Sequence, residues 1–332
     1  MANIAFFTVK KWEQDYLKKA LPRHTLTFFA EPLAKKHFSK LKNIDVLSLF
    51  VDSQLKAEDV ALLPKLKLVA LRSTGFDHVD IAACAKRDIA VSTVPFYGEN
   101  TVAEHAFALL LCLSRKIHLT YDRTHPLKDM TTEGLTGFDL QGKTIGIVGG
   151  GHIGMHAIRM ARGFGMKVLV SDPFPKNFTA ELMNFEYVDL ETLLKKADII
   201  SLHAPYNAHT HHLINAKNIK LVKKGCVFIN TSRGGLIDTD VLHKALKDGT
   251  FSMAGIDVME DELLLMHNER PHPHDTTERS KLRRNVEIAK MPNVIFTPHN
   301  AFNSQEALNR ILATTAENIK NGLAKKYSNR VN

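Results

Sequence analysis

Three residues in the last third of the chain have the types needed to reduce a ketone flanked by a carboxylate: Arg233, Glu262 and His299. An arginine fork can hold a carboxylate through two hydrogen bonds and polarise the neighbouring carbonyl. A histidine can give a proton to that oxygen as hydride reaches the carbon. A carboxylate beside the histidine fixes its ring and stabilises its charged form. Arg233 lies in Asn230-Thr231-Ser232-Arg233-Gly234-Gly235. Glu262 closes Gly255-Ile256-Asp257-Val258-Met259-Glu260-Asp261-Glu262, and His299 lies in Thr297-Pro298-His299-Asn300-Ala301-Phe302. Singly, each has a plainer explanation: a surface ion pair, a solvated acidic patch, a strand-end histidine. Together they follow three successive apolar runs, and open α/β sheets place ligands at such strand ends. The set therefore points to a 2-keto or 2-hydroxy acid as substrate.

A hydride donor has its own signature upstream. Ile145-Gly146-Ile147-Val148 leads into Gly149-x-Gly151-x-x-Gly154, and a helical run to about Phe164 follows. Gly149 permits the tight turn, Gly151 lets backbone approach a pyrophosphate, and Gly154 lets the helix pack on the strand. The helix N-terminus adds free amides and partial positive charge. A glycine run alone can be a mere turn. Here a second strand, Lys167 to Ser171, ends at Asp172, at about the twenty-residue distance where an acid can accept hydrogen bonds from the adenosine ribose. A carboxylate there repels a 2′-phosphate, so NAD is expected rather than NADP.

The elements that must position these groups read as two α/β series. In the first, Ile4–Val9, Leu26–Ala30, Val46–Val51, Leu68–Ser73 and Ile89–Ser92 are strand-like, separated by helices such as Ala57–Leu63 and Val79–Lys86, which predicts a parallel sheet. In the second, Thr144–Val148, Lys167–Ser171, Ile199–Leu202, Cys226–Asn230, Met253–Asp257 and Val294–Thr297 match a doubly wound nucleotide-binding sheet. Between the series, Thr101 to Leu119 predicts one long helix with Thr101 as N-cap and Glu104 completing a capping box. Its apolar circumference suggests burial against another domain or subunit. The last helix is expected from about Ser304 to Asn321. Leu263 to Met291, polar and holding Pro271 and Pro273, reads as an excursion before the last strand.

With 332 residues, 44% hydrophobic and 24% charged, the chain has the composition of a two-domain globular protein. Its net charge of +9 comes from scattered lysines and arginines, not from the dense runs of nucleic-acid-binding tails. No nucleic-acid or membrane partner is expected, and the longest apolar block, Ala106 to Leu113, is too short to span a bilayer. The N-terminus lacks the features of a signal peptide, which predicts a cytoplasmic protein. Cys84, Cys112 and Cys226 have no paired spacing and are expected to be buried thiols. His209-x-His211-His212 and His272-x-His274 lie in polar, loop-like stretches without a fixed acidic partner, so no metal is expected.

At this point the chain resembles the D-isomer-specific 2-hydroxyacid dehydrogenases over nearly its whole length, and within them the bacterial fermentative D-lactate branch. Arg72–Asp77, Val94–Tyr97, Thr101–His105, Gly134–Gly154, Asn230–Gly235 and Thr297–Phe302 carry the likeness. It implies two Rossmann-like doubly wound parallel-sheet domains. Residues 1–99 and a C-terminal part, 301–332, would form a discontinuous substrate domain around an NAD domain of 100–300, with cleft closure excluding water. It implies Arg233 for substrate binding, Glu262 as the histidine's partner and His299 as acid/base, with backbone amides near Thr74 and Gly75 at the substrate carboxylate. Phe50, Tyr97 and Phe302 would line a small pocket suited to pyruvate. Toward NAD the resemblance adds His152 and Ile153 at the pyrophosphate. Ala204, Pro205, Thr210, Thr231 and Ser232 would lie along the dinucleotide, and Asp257 at the nicotinamide amide. A homodimer is the family expectation. Another 2-hydroxy acid is the alternative substrate, and an NAD-sensing corepressor the alternative class, disfavoured because long partner-recruiting tails are missing.

Overall fold

The computed structural model describes residues 1–125, 129–262 and 276–332. They form two compact units, one of Met1–Tyr97 with Asn303–Asn332, the other of Gly98–Phe302. The first unit is built on five parallel strands, β1 (Asn3–Phe6), β2 (Thr25–Phe28), β3 (Val46–Leu49), β4 (Leu68–Leu71) and β5 (Ala90–Ser92), ordered β2-β1-β3-β4-β5. Alternate residues of β1 serve opposite faces, as the period of two requires. Ala5 and Phe7 join Leu47, Leu49, Val69 and Leu71 on one side, while Ile4 and Phe6 join Val46, Leu68 and Ala70 on the other. Burial on both faces is why these strands read as continuous apolar runs. The C-terminal helix, Gln305–Leu323, completes the second face with Leu312 and Ile319. Its Asn318 donates to Thr93 O at 2.8 Å, and the tail after it bridges back to Ser92.

The second unit carries a seven-stranded parallel sheet. Its strands are β6 (Thr144–Val148), β7 (Lys167–Ser171), β8 (Glu186–Tyr187), β9 (Ile199–Leu202), β10 (Cys226–Asn230), β11 (Phe251–Ile256) and β12 (Val294–Phe296). The order β12-β11-β10-β9-β6-β7-β8 reverses direction between β6 and β9, the switch point where such sheets open a crevice. The short edge strand β8 is an addition to the six expected.

The helix expected at Thr101–Leu119 differs at both ends. The observed helix runs Glu99–Ser114 with Gly98 as N-cap, so Thr101 lies inside it, and Glu104 accepts from the Asn100 side chain at 3.0 Å instead of closing a capping box. It stops where the Ser114 carbonyl takes the Phe138 amide at 2.9 Å, and Lys116 then turns left-handed (φ 52°) before a second helix, Ile117–Thr124. Nor does its apolar circumference need a second domain or subunit. Phe107, Leu109, Leu110 and Leu113 are buried with Ile145, Ile147, Val168 and Ile229 of its own unit's sheet. Each such burial contributes about 1.5–3 kcal/mol. In the stretch expected as an excursion, 263–275 lie outside the described residues, and Thr276–Ala289 is a helix whose Ile288 enters the core.

Cys84 and Cys226 are buried, and burial pushes their thiols up to about 11 and about 12. Cys112 is only half-buried, its sulfur 3.8 Å from His118 Nδ1. Among the described residues no helix is long and apolar enough to cross a membrane.

Candidate active site

Arg233, Asp257 and His299 follow the C-terminal ends of the adjacent strands β10, β11 and β12, and Glu262 follows β11 a turn later. The loop carrying His299 is anchored on Asp257, a carboxylate with no solvent exposure. Its Oδ1 accepts from Thr297 Oγ1 at 2.5 Å and from the Asn300 amide at 2.7 Å, and its Oδ2 from the Ala301 amide at 2.9 Å. Thr297 has one hydroxyl proton; having donated it to Asp257, the oxygen accepts from His105 Nε2 at 3.0 Å. These donors offset much of what burying a charge costs.

His299 itself holds φ of +50°, and its amide donates to Asp257 O at 2.8 Å and Thr297 O at 2.9 Å. A non-glycine residue in this region costs on the order of 1–3 kcal/mol, and such positions concentrate at working sites. The strained backbone aims the imidazole so that Nδ1 meets Glu262 Oε1 at 2.5 Å. Glu262 is braced in turn by the Met259 amide, which donates to Oε2 at 3.0 Å. Both side chains are mostly buried, at 16% and 17% exposure, so their attraction is little screened. With Nδ1–H given to the carboxylate, Nε2 is the nitrogen left for a substrate oxygen.

Arg233 is half-buried and extended, and its Nη1 donates to Ser232 O at 2.8 Å. Asn230 fastens this segment, its Nδ2 donating to Arg233 O at 3.0 Å while its Oδ1 accepts from the Ser232 amide at 3.0 Å.

The switch point between β6 and β9 has the features of a dinucleotide cradle. Gly149 has φ of +98°, and a Cβ there would stand 2.7 Å from the Ala204 amide nitrogen. At Gly154 a Cβ would meet Gly149 O at 2.0 Å, so glycine is required for the helix His152–Gly163 to start where it does. Gly151 faces open space, with His152 exposed and Ile153 half-buried beside it. Asp172, just beyond β7, accepts from the Gly150 amide at 2.7 Å and the Phe174 amide at 2.8 Å, one on each oxygen. Each oxygen keeps a further lone pair for a ribose hydroxyl. Ser232 Oγ donates to Ala204 O at 2.6 Å, Thr210 Oγ1 to Pro205 O at 2.7 Å, and the Thr231 hydroxyl is buried with no protein partner. Gly149 and Ser232 thus both meet Ala204 at this sheet edge, with Asp172 on the Gly150 amide, and the lone pairs left on Asp172 and the unpartnered Thr231 hydroxyl suit the group. His203, at the same edge, is buried against Ser201 Oγ at 2.8 Å, and burial takes it down to about 4, which leaves it neutral. Asp257, expected at the nicotinamide amide, has oxygens engaged by the chain's own loop.

In the first unit, Thr74 Oγ1 donates to Val94 O at 2.7 Å and Ser73 Oγ to Gly75 O at 2.7 Å. The Arg72 guanidinium lies 5.5 Å from the Phe50 ring centroid, and Tyr97 O accepts from Arg310 Nε at 2.5 Å. Phe302 is half-buried at the end of the second unit.

Sequence reasoning missed His105, Thr297 and Glu260, although all three stand in motifs it used. It also denied His212 an acidic partner; the structure gives it two, Glu260 at 3.2 Å and Asp238 at 3.8 Å. His272 and His274 lie outside the described residues, among which no cluster of three or more His, Cys, Asp or Glu could hold a metal.

Comparison with known proteins agrees with this architecture. The family model described as "D-isomer specific 2-hydroxyacid dehydrogenase, NAD binding domain" matches residues 107–301. The chain is 36% identical over 323 residues to D-lactate dehydrogenase of Escherichia coli K12, covering 96% of each. It is 35% identical over 326 residues to glyoxylate reductase of Thermococcus litoralis, covering 95% of this chain and 87% of the relative. Among solved structures, D-lactate dehydrogenase from Aquifex aeolicus complexed with NAD and lactic acid superposes with a TM-score of 0.88 at 34% identity, covering 98% of this chain and 96% of that one.

Proposed function

This chain belongs to the D-isomer-specific 2-hydroxyacid dehydrogenase family, and from that premise we propose that it is an NAD-dependent D-lactate dehydrogenase interconverting pyruvate and D-lactate. The observation that carries the chemistry is the His299 Nδ1–Glu262 Oε1 contact of 2.5 Å, on a loop fixed by the buried Asp257. When bound, NADH supplies the hydride. Arg233 holds the substrate carboxylate and polarises the ketone. His299 delivers the proton to the carbonyl oxygen from Nε2, and Glu262 balances the imidazolium beforehand and reclaims the neutral ring's orientation afterwards. The Thr74 and Gly75 amides are assigned to the carboxylate, and Phe50, Tyr97 and Phe302 to the pocket wall. Relatives include both D-lactate dehydrogenase and glyoxylate reductase, so pocket size decides the substrate. Lined as the family resemblance implies by Phe50, Tyr97 and Phe302, such a pocket would favour the methyl of pyruvate over the single hydrogen of glyoxylate and over bulkier chains.

The test is NADH oxidation by the purified protein with pyruvate, 2-ketobutyrate, phenylpyruvate, glyoxylate and hydroxypyruvate in parallel. Pyruvate is expected to give the highest kcat/KM. Preference for phenylpyruvate or glyoxylate would overturn the lactate assignment, and turnover of none would overturn the enzyme. Asp172 provides a second check. Asp172→Ala is expected to lower the NADH-to-NADPH ratio of kcat/KM by about tenfold or more, because setting a phosphate against a carboxylate costs several kcal/mol. An unchanged ratio would free Asp172 of that role. We also propose a cytoplasmic homodimer, supported by the family resemblance and by three unpaired cysteines, which suit a reducing compartment.

A further inference from the structure

Glu260 stands two residues before Glu262 and is only 11% exposed, yet the proposed reaction does not use it. Its Oε1 accepts from Lys281 Nζ at 3.0 Å and from His212 Nε2 at 3.2 Å, and its Oε2 from Thr239 Oγ1 at 2.8 Å. Its backbone carbonyl takes Asn285 Nδ2 at 2.6 Å. The donors arrive from three directions: the loop after β9, the start of the helix Thr239–Asp248, and the helix Thr276–Ala289. The surrounding charges are arranged to match. Lys281 also reaches Asp261 at 3.2 Å, while His212 lies 3.8 Å from Asp238 and stacks on His211. Burial by itself raises the Glu260 carboxyl, but hydrogen bonds from Lys281, Thr239 and His212 outweigh it and hold the group below the usual carboxylate range.

The same turn presses on the arginine segment. A Cβ at Gly234 would stand 2.0 Å from Met259 C and 2.1 Å from the Glu260 nitrogen, so the backbone beside Glu260 lies directly against the residue that follows Arg233. The amide of Met259 is also the one that braces Glu262. A turn pinned at Glu260 therefore leaves Glu262 little freedom in how it meets His299.

We propose that Glu260 is a positioning residue for the acid/base pair: by collecting donors from three segments it fixes the turn that sets Glu262 against His299. The proposal rests on the dehydrogenase reading above. A carboxylate suits the post because all the side-chain groups facing it are donors. In Glu260→Gln the amide nitrogen would confront one of them.

The test compares Glu260→Gln, Glu262→Gln and the double variant in pyruvate reduction, with NADH affinity measured by calorimetry. Glu260→Gln is expected to lose about 10- to 100-fold in kcat, the scale of a small misplacement of reacting groups, with NADH affinity unchanged. Its kcat/KM should fall off at lower pH than wild type, in the same direction as in Glu262→Gln, because a displaced Glu262 balances the imidazolium less well. The double variant should lose no more than Glu262→Gln alone, since one residue acts through the other. Lys281→Met, which keeps Glu260 and removes one donor, should show the same non-additivity, and it serves if Glu260→Gln does not fold. Wild-type kcat in Glu260→Gln, or losses that multiply in the double variant, would overturn the proposal while leaving the dehydrogenase intact. An inactive wild-type protein would overturn both.

Discussion

Replacing His299 by alanine is expected to lower kcat for pyruvate reduction by about 10²- to 10⁴-fold, the usual contribution of a positioned general acid. NADH affinity should hold, because the glycine turn and Asp172 sit at β6 and β7, away from the loop after β12. The loop should also keep its shape, since Asp257 takes its hydrogen bonds from Thr297, Asn300 and Ala301 and not from the imidazole. A loss confined to kcat identifies the proton donor. Parallel loss of NADH binding would mean that the loop had collapsed, and full activity would assign proton transfer to another group. The two directions of reaction should respond oppositely to pH, because the imidazole must begin charged to reduce the keto acid and neutral to oxidise the hydroxy acid.

Arg233→Gln is the second large effect expected, a fall of about 10²- to 10³-fold in kcat/KM for pyruvate, comparable to removing one preorganised donor from a developing oxyanion. Arg233→Lys should recover only a small part of it. An ammonium retains the charge but not the planar pair of donors that a carboxylate accepts side by side. If lysine restored full activity, the guanidinium would be acting as a point charge and not as a fork. The Asn230 side chain spans Ser232 and Arg233 and pins their backbone, so neither variant should disturb the strand end.

The sheets were legible because their strands are covered on both faces and so appear as unbroken apolar runs. Lys167–Ser171 and Cys226–Asn230 could be delimited from sequence to the residue. Strand β8 escaped because two residues at a sheet edge, Glu186 and Tyr187, carry no periodicity. The break after Ser114 escaped for a different reason: it depends on the Phe138 amide, which arrives from another part of the chain. The candidate site divides in the same way. Arg233, Glu262 and His299 could be picked out only together, because they follow successive strands of one nucleotide-binding sheet. The groups that hold them could not, because His105 reaches Thr297 across 192 positions and His212 reaches Glu260 across 48. Such contacts are products of tertiary packing, and local pattern does not encode them.

The most direct measurement of the central claim is the chirality of the product. Purified protein supplied with NADH and pyruvate is expected to consume both in equal amounts and to accumulate D-lactate, with His299→Ala forming almost none in the same time. Accumulation of L-lactate, or the absence of lactate while pyruvate and NADH persist, would contradict the account.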